Sequence, residues 1–201
     1  SVQESLSAYA VNSGKRQGEY TIDDLYKLPE DVKAELIDGA IYYFNTPKTF
    51  HQFVAGEIRE QISICIKKRG KKCMVLEAAG VQINCDDKTM MIPDVALICD
   101  KKKILDSSIF GAPDFVAEVL SPSTRKRDMS IKFQKYLAAG VSVYWMVDVK
   151  KRQIITYDFT DEEFTPQIHS LEGTVKLTLP EGECEIDFDY MSDMLKEVYG
   201  L

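Results

Sequence analysis

Two carboxylates interrupt apolar, strand-like stretches of the sequence: Asp94 lies within residues 91–98 and Glu118 within residues 115–120. Strand alternation puts each acid on the same face as apolar residues two positions away. An unpaired carboxylate there is unfavourable, so each acid requires a cation, a basic side chain or hydrogen-bond donors. A divalent metal ion shared by both acids would satisfy them together. The alternative is that either acid lies on a solvent-facing strip of a one-sided sheet.

A lysine follows these acids at helical spacing. Asp128, Lys132 and Tyr136 recur every four residues and therefore share one side of a helix. Lys132 borders an apolar stripe that includes Met129, so its ammonium can turn back over the strand that carries Glu118. The alternative is an exposed pair of Lys132 with Asp128, which would stabilise the helix only slightly.

The surrounding sequence predicts the elements that position these groups. Apolar residues at intervals of three and four predict four helices. The first starts at Thr21, and the second runs from Phe50 to near Gly70. The third lies between residue 122 and Gly140, and the last covers residues 190–198. Predicted strands cover residues 40–44, 74–83, 90–99, 114–120, 141–149, 153–159, 164–169 and 174–179. Asp38-Gly39 predicts the turn before the first of them. The pattern is that of a mixed α/β domain with helices flanking one sheet.

The composition bounds the class of protein. The 201 residues are 45% hydrophobic and 28% charged, which excludes disorder and collagen-like repeats, and no apolar run is long enough to span a membrane. We expect a flexible N-terminal segment over residues 1–19, without a secretory signal, and a single domain over residues 20–201.

Cysteine usage predicts the redox compartment. The five cysteines are odd in number, form no C-x-x-C pair and mostly lie in apolar runs. We therefore expect them to be reduced, to pack as small apolar side chains, and to indicate a cytoplasmic location. The chain has only two histidines, which argues against a structural zinc site.

The net charge of -7 is unevenly spread. Residues 158–201 hold twelve acidic residues against Lys176 and Lys196, so the rest of the chain is slightly basic. Basic residues cluster at 59–72 and at 125–135, and such patches can attract phosphates. For the lysines at 67–72 we favour a helix end, because cations there complement the helix dipole.

Several blocks of residues carry a family resemblance: Glu35 to Gly39, Pro93-Asp94-Val95, residues 113–123, Asp128 with Lys132 and Tyr136, and residues 140–148. Together they resemble the Uma-type family of bacterial restriction endonucleases, a branch of the PD-(D/E)XK nuclease superfamily. Each short motif recurs by chance, whereas the ordered set, from about residue 20 to the C-terminus, is specific.

The resemblance implies an α/β (α+β) restriction-endonuclease-like core, with a mixed central β-sheet flanked by helices and acids from two adjacent strands holding a metal ion. Asp94 and Glu118 would bind Mg²⁺ or Mn²⁺, with the backbone carbonyl of Val119 as a further ligand. The usual motif has lysine two residues after the second acid, where this chain has Leu120. In this family the lysine moves to the following helix, which fits Lys132.

Further residues are implied with less specific roles. Glu35 would face the metal or its water, or else lie in solvent before the turn. His51 would act as a base or phosphate contact, or else merely begin its helix. The DNA backbone would be held by three basic residues: Arg125, Lys126 and Arg127.

The predicted function is a metal-dependent phosphodiesterase that acts on DNA, without a small-molecule cofactor or a membrane. We expect a homodimer, because double-strand cleavage often uses two sites. The alternatives are a catalytically inactive nuclease-like module that binds nucleic acid or protein, and a nuclease that acts on RNA. The presence of Asp94, Glu118 and Lys132 argues against a decayed site.

Overall fold

A six-stranded mixed β-sheet lies at the centre of the computed structural model, which describes residues 14–122, 124–179 and 182–201. In chain order the elements are α1 (Ile22–Tyr26), β1 (Ala34–Ile37), β2 (Ala40–Tyr43), α2 (Thr49–Lys68), β3 (Met74–Glu77), β4 (Val81–Gln82), β5 (Val95–Ile98), a 3₁₀ turn (Lys101–Lys103), β6 (Ile109–Phe110), β7 (Phe115–Val119), α3 (Arg125–Arg127), a π-helical turn (Asp128–Lys132), α4 (Phe133–Ala139), β8 (Val143–Asp148), β9 (Gln153–Asp158), β10 (Gln167–Ser170), β11 (Thr174–Leu179), β12 (Gly182–Asp187) and α5 (Asp189–Tyr199).

The strand order in the central sheet is β10-β9-β8-β7-β5-β3. Only β7 and β8 run parallel to each other, and every other neighbouring pair is antiparallel. Parallel neighbours need a crossover connection, which here consists of α3, the π-helical turn and α4. The mixed sheet flanked by helices confirms the predicted fold class.

Apolar layers cover both faces of the sheet. On one face, Ile58 and Ile62 of α2 form a core with Trp145 of β8 and with Phe188 and Leu195 at the C-terminal end of the chain. On the other face, a second core includes Val116 of β7, Tyr136 of α4 and Tyr144 of β8. Helix α2 therefore covers the sheet, as its apolar spacing predicts.

The Asp38-Gly39 turn joins β1 to β2 as predicted, with left-handed backbone at both residues (φ 51° and 72°). A Cβ atom on Gly39 would lie 2.3 Å from the carbonyl oxygen of Gly18, so only glycine fits. The Gly18 N–H donates to the Gly39 carbonyl at 2.8 Å, and Gln17 accepts from the Ile41 N–H at 2.7 Å. Residues 1–13 of the predicted flexible segment lie outside the described residues, but residues 17 and 18 are anchored to this hairpin.

Several sequence predictions differ from the structure. The single strand predicted over residues 74–83 forms two short strands, β3 and β4, that belong to different sheets. Met129 is 40% exposed, whereas Lys132 is buried, because a π-helical turn changes the phase of the helix at this point. The strand predicted at residues 90–99 is regular only from Val95, and Pro93, which cannot donate a ladder hydrogen bond, precedes it. Strand β12 was not predicted, although it pairs with β11 in an antiparallel hairpin.

The prediction of unpaired cysteines is wrong for four of the five. Cys65 is bonded to Cys184 and Cys73 to Cys99, while Cys85 is free and exposed. The pairing arises because the fold brings the Cα atoms of each pair to 6.0 and 4.0 Å, although the first pair is separated by 119 residues. This removes the reason for expecting a cytoplasmic location. Within the described part of the chain, no helix combines the length and apolarity needed to cross a membrane.

Candidate active site

A cleft of about 550 Å³ opens beside the β1–β2 hairpin, the start of α2 and the π-helical turn. Glu35 comes from β1, Asp94 from the residue before β5, Glu118 from β7 and Lys132 from the π-helical turn. All four line this cleft. The fold therefore brings together the four residues that the sequence analysis proposed as catalytic.

Lys132 lies among carboxylates. Its Nζ atom is 2.5 Å from Oε1 of Glu118, 2.9 Å from Oε1 of Glu35 and 3.8 Å from Oδ1 of Asp128. Burial alone would lower the pKa of Lys132, but the charges of these three acids outweigh it and raise the pKa well above its usual value. The lysine is thus held as a buried cation, and the alternative of an exposed pair with Asp128 is wrong.

Glu118 is 2% exposed, which excludes a place on a solvent-facing strip. The Tyr136 hydroxyl donates to its Oε1 atom at 2.8 Å. Burial raises the pKa of Glu118 well above its usual range, and the charges of Asp128 and Asp94 raise it further, although Lys132 opposes the shift. An additional cation near Glu118 would therefore favour its ionised form.

Glu35 is 1% exposed, so its solvent-facing alternative is also wrong. Its Oε1 atom accepts from the Ile92 N–H at 2.7 Å, in addition to Lys132. Its Oε2 atom lies 3.1 Å from Nε of Arg127, yet within the described residues neither buried atom has a hydrogen-bond partner. The Arg127 guanidinium also lies 5.6 Å from the centre of the Tyr42 ring and so is turned inward.

Asp94 is the most accessible of the predicted site acids, with a side chain that is 20% exposed. Its Oδ2 atom accepts from the Val119 N–H at 2.7 Å and lies 3.2 Å from Nε2 of His51. Burial alone would lower the pKa of His51, but the hydrogen bond to Asp94, the charge of Asp94 and the Val119 backbone together outweigh it and raise the pKa. His51 therefore contacts Asp94 directly and orients it.

The three basic residues expected to bind DNA differ in their surroundings. Arg125 lies 2.5 Å from Asp148, and Arg127 faces Glu35, so both contact acids of the same chain. Lys126 is exposed. Sequence reasoning missed three exposed lysines on the rim of the cleft, because they are far apart in the chain and no spacing relates them: Lys33, Lys48 and Lys150.

The donor set suits a hard divalent cation. Among the described residues, no group of three or more His, Cys, Asp or Glu side chains is preformed to hold a metal. Mg²⁺, however, is usually bound through one or two carboxylates, with water and substrate phosphate as further ligands. Four acids (Glu35, Asp94, Glu118 and Asp128) line the cleft. Burial and the neighbouring acids raise the pKa of both Glu118 and Asp128, although Lys132 opposes the shift. A divalent ion beside these acids would favour their ionised forms.

Comparison with known proteins identifies a family and a similar solved structure. The Uma2 family, described as "Putative restriction endonuclease", matches residues 22–187. A solved structure from Anabaena variabilis, described as "a putative nuclease belonging to DUF820", aligns with a TM-score of 0.62 and 19% identity, covering 78% of this chain and 88% of its own. At this identity the alignment shows a shared fold. No curated protein sequence matches the chain significantly.

Proposed function

The chain belongs to the Uma2 family of restriction-endonuclease-like proteins, and on this basis we propose that it is a metal-dependent endonuclease that hydrolyses DNA phosphodiester bonds. The observation that carries the proposal is the position of the Lys132 ammonium between Glu118 and Glu35, in the cleft that Asp94 also lines. A packed apolar cluster would stabilise the fold as well as this buried cluster of charges does. Stability alone therefore does not account for the cluster, whereas a catalytic role does.

The metal would be held by Asp94 and Glu118, with the Val119 carbonyl as a further ligand. Oxygen ligands of this kind suit Mg²⁺ or Mn²⁺. When bound, such an ion polarises the scissile phosphate and activates water for attack. The four acidic side chains that line the cleft support this assignment.

The protein's own groups have separate tasks in the proposal. Lys132 stabilises the negative charge that builds up on the phosphate during attack, since its ammonium is charged and already fixed by Glu35 and Glu118. Glu35 orients Lys132 and accepts a hydrogen bond from attacking water. His51 fixes the carboxylate of Asp94 from α2.

Plasmid cleavage tests the proposal. Purified protein is incubated with supercoiled DNA in the presence of Mg²⁺, Mn²⁺ or a chelator, with a structured RNA as a parallel substrate. We expect metal-dependent nicking or linearisation of the DNA, and its loss in Asp94→Asn. Binding of DNA without cleavage would instead support a binding module, and cleavage of RNA alone would support a ribonuclease. The homodimer rests only on the idea of double-strand cleavage and stays a prediction.

A further inference from the structure

Most of the side chains that we propose as catalytic lie at the bottom of the cleft. The side chains of Glu35 and Lys132 are each 2% exposed and that of Glu118 is 3% exposed, whereas Asp94 is 20% exposed. To approach Lys132, the scissile phosphate must protrude from the nucleic acid into the cleft. Regular duplex DNA is stiff on the scale of a protein, so bringing one of its phosphates into a recessed cavity requires a bend or distortion that costs free energy. An unpaired nucleotide can rotate about its backbone and enter such a cavity.

The cleft has the size and the lining for such a nucleotide. Its volume of about 550 Å³ lies in the range of pockets that enclose small ligands, roughly 300–1,000 Å³. Phe44 and Phe50 both line it and are partly buried. Phe50 is held edge-on by Tyr199, with ring centres 5.9 Å apart. Aromatic side chains in a cleft provide surfaces on which an unpaired base stacks, whatever its identity.

The rim of the cleft is complementary in charge to a phosphate backbone. Lys33, Lys48 and Lys150 line it from three different segments, and all three are exposed. None of them forms an ion pair with an acid within residues 14–122, 124–179 and 182–201, in contrast to Arg125 and Arg127. A groove with free cations at its edge and aromatic rings inside it is typical of proteins that bind single strands.

From these features we infer that the cleft takes single-stranded DNA, with one unpaired nucleotide inside and its neighbouring phosphates on the rim lysines. The inference rests on the proposed nuclease function and names its substrate class. It also shifts DNA contact from Arg125 and Arg127 to Lys33, Lys48 and Lys150.

Fluorescence anisotropy tests the strand preference. The Glu118→Gln variant, or Asp94→Asn if Glu118→Gln does not fold, is titrated into a labelled single strand of about twelve nucleotides, a typical length for one such groove. The same strand annealed to its complement is the comparison. We expect the single strand to bind at least about tenfold more tightly than the duplex, since only it can stack a base on Phe44. Equal or tighter binding of the duplex would overturn the inference.

Matched variants on the same background locate the contact. Phe44→Ala should weaken single-strand binding about tenfold, because one stacked base is lost, whereas Phe110→Ala, an exposed phenylalanine outside the cleft, should change nothing. Lys48→Ala should reduce the slope of log affinity against log salt by about 0.7, and Lys102→Ala should leave it unchanged. An unaltered affinity in Phe44→Ala would refute the stacking site.

Cleavage by the wild-type protein separates this inference from the proposed function. Cleavage of duplex DNA without preferential single-strand binding would overturn the inference and leave the nuclease function intact. Tight, Phe44-dependent binding of the single strand without metal-dependent cleavage of either form would overturn the nuclease function. The inferred preference of the cleft for single strands would then stand. Tighter binding of single-stranded RNA of the same sequence would overturn DNA as the ligand.

Discussion

The ammonium of Lys132 lies 2.5 Å from Oε1 of Glu118, and both side chains are almost fully buried. Glu118 belongs to the central strand β7, and Lys132 belongs to the π-helical turn of the crossover that leads from β7 to β8. The contact forms because this crossover folds back over its own strand. We propose that Lys132 takes the place of the motif lysine, since this chain has Leu120 at the usual position.

Substitution of Lys132 should affect both activity and stability. In Lys132→Met the turnover number should fall by about a hundredfold, because the positive charge that faces the phosphate is lost. The free energy of unfolding should fall by about 3 kcal/mol, since Glu35, Glu118 and Asp128 lose their common buried cation. Plasmid-cleavage kinetics and urea denaturation measure the two effects. Lys135→Ala removes a lysine that pairs with an exposed acid, Asp38, and should change neither quantity appreciably. Equal effects of the two variants would contradict the role of Lys132.

The Glu118→Gln substitution should not destabilise the protein in the absence of metal. Because the pKa of Glu118 is raised in the folded state, the folded protein retains a proton that the unfolded chain loses, and wild-type stability falls as the pH rises above 4.5. Glutamine does not titrate, so the variant should equal the wild type near pH 4 and exceed it at pH 8. Urea denaturation at both pH values checks this. A loss of several kcal/mol at pH 8 would instead show that the ion pair with Lys132 is structural.

Metal binding should depend on Asp94 and Glu118. Isothermal titration calorimetry of the wild-type protein should detect Mg²⁺ or Mn²⁺ binding, and the double variant Asp94→Asn/Glu118→Gln should show none, because two charged oxygen ligands are removed. Asp193→Asn, an exposed acid of α5, serves as the control and should bind as the wild type does. Undiminished heat in the double variant would place the metal elsewhere.

Four cysteines should resist alkylation until they are reduced. Iodoacetamide should add one group to the unfolded, unreduced protein, at Cys85, and five groups after reduction, as mass spectrometry can count. The chain-entropy argument gives about 5 kcal/mol for the bond between Cys65 and Cys184, which closes the longer loop, and about 3.5 kcal/mol for that between Cys73 and Cys99. The loss of free energy of unfolding, measured by denaturation, should therefore be larger for Cys65→Ala than for Cys73→Ala. Addition of five groups before reduction would disprove both disulfides.

The start of α1 should give an acid-sensitive contribution to stability. Asp24 accepts from the Thr21 N–H at 2.8 Å and pairs with Lys15 at 2.5 Å, and the hydrogen bond from Lys15 lowers the pKa of Asp24 to about 2. Its stabilisation is therefore present above pH 3.8 and is lost as the pH falls through about 2. Asp24→Asn should lower the free energy of unfolding at pH 7 by about 1 kcal/mol and should have a much smaller effect near pH 2. A loss that persists at pH 2 would point to the shape of the cap rather than to its charge.

Several features of the molecule follow from the sequence by local rules. The Asp38-Gly39 turn needs left-handed backbone, which this pair of residues adopts readily. The apolar spacing from Phe50 to Ile66 requires a helix that covers a sheet, and helix α2 does so. Glu118 interrupts an apolar strand, and such an acid must find a partner. These properties depend on neighbours in the chain, so a sequence is enough to predict them.

Other features depend on contacts between segments that are distant in the chain. Whether Glu118 pairs with Lys132 or faces solvent depends on the phase of the crossover helix, and a single π-helical turn sets that phase. Cys65 and Cys184 are separated by 119 residues, and only the packing of α2 against β12 brings them together. Lys33, Lys48 and Lys150 share one rim although no spacing in the sequence relates them. Periodicity specifies which face of an element is buried, but the partner it meets there is specified by the packing of the whole domain.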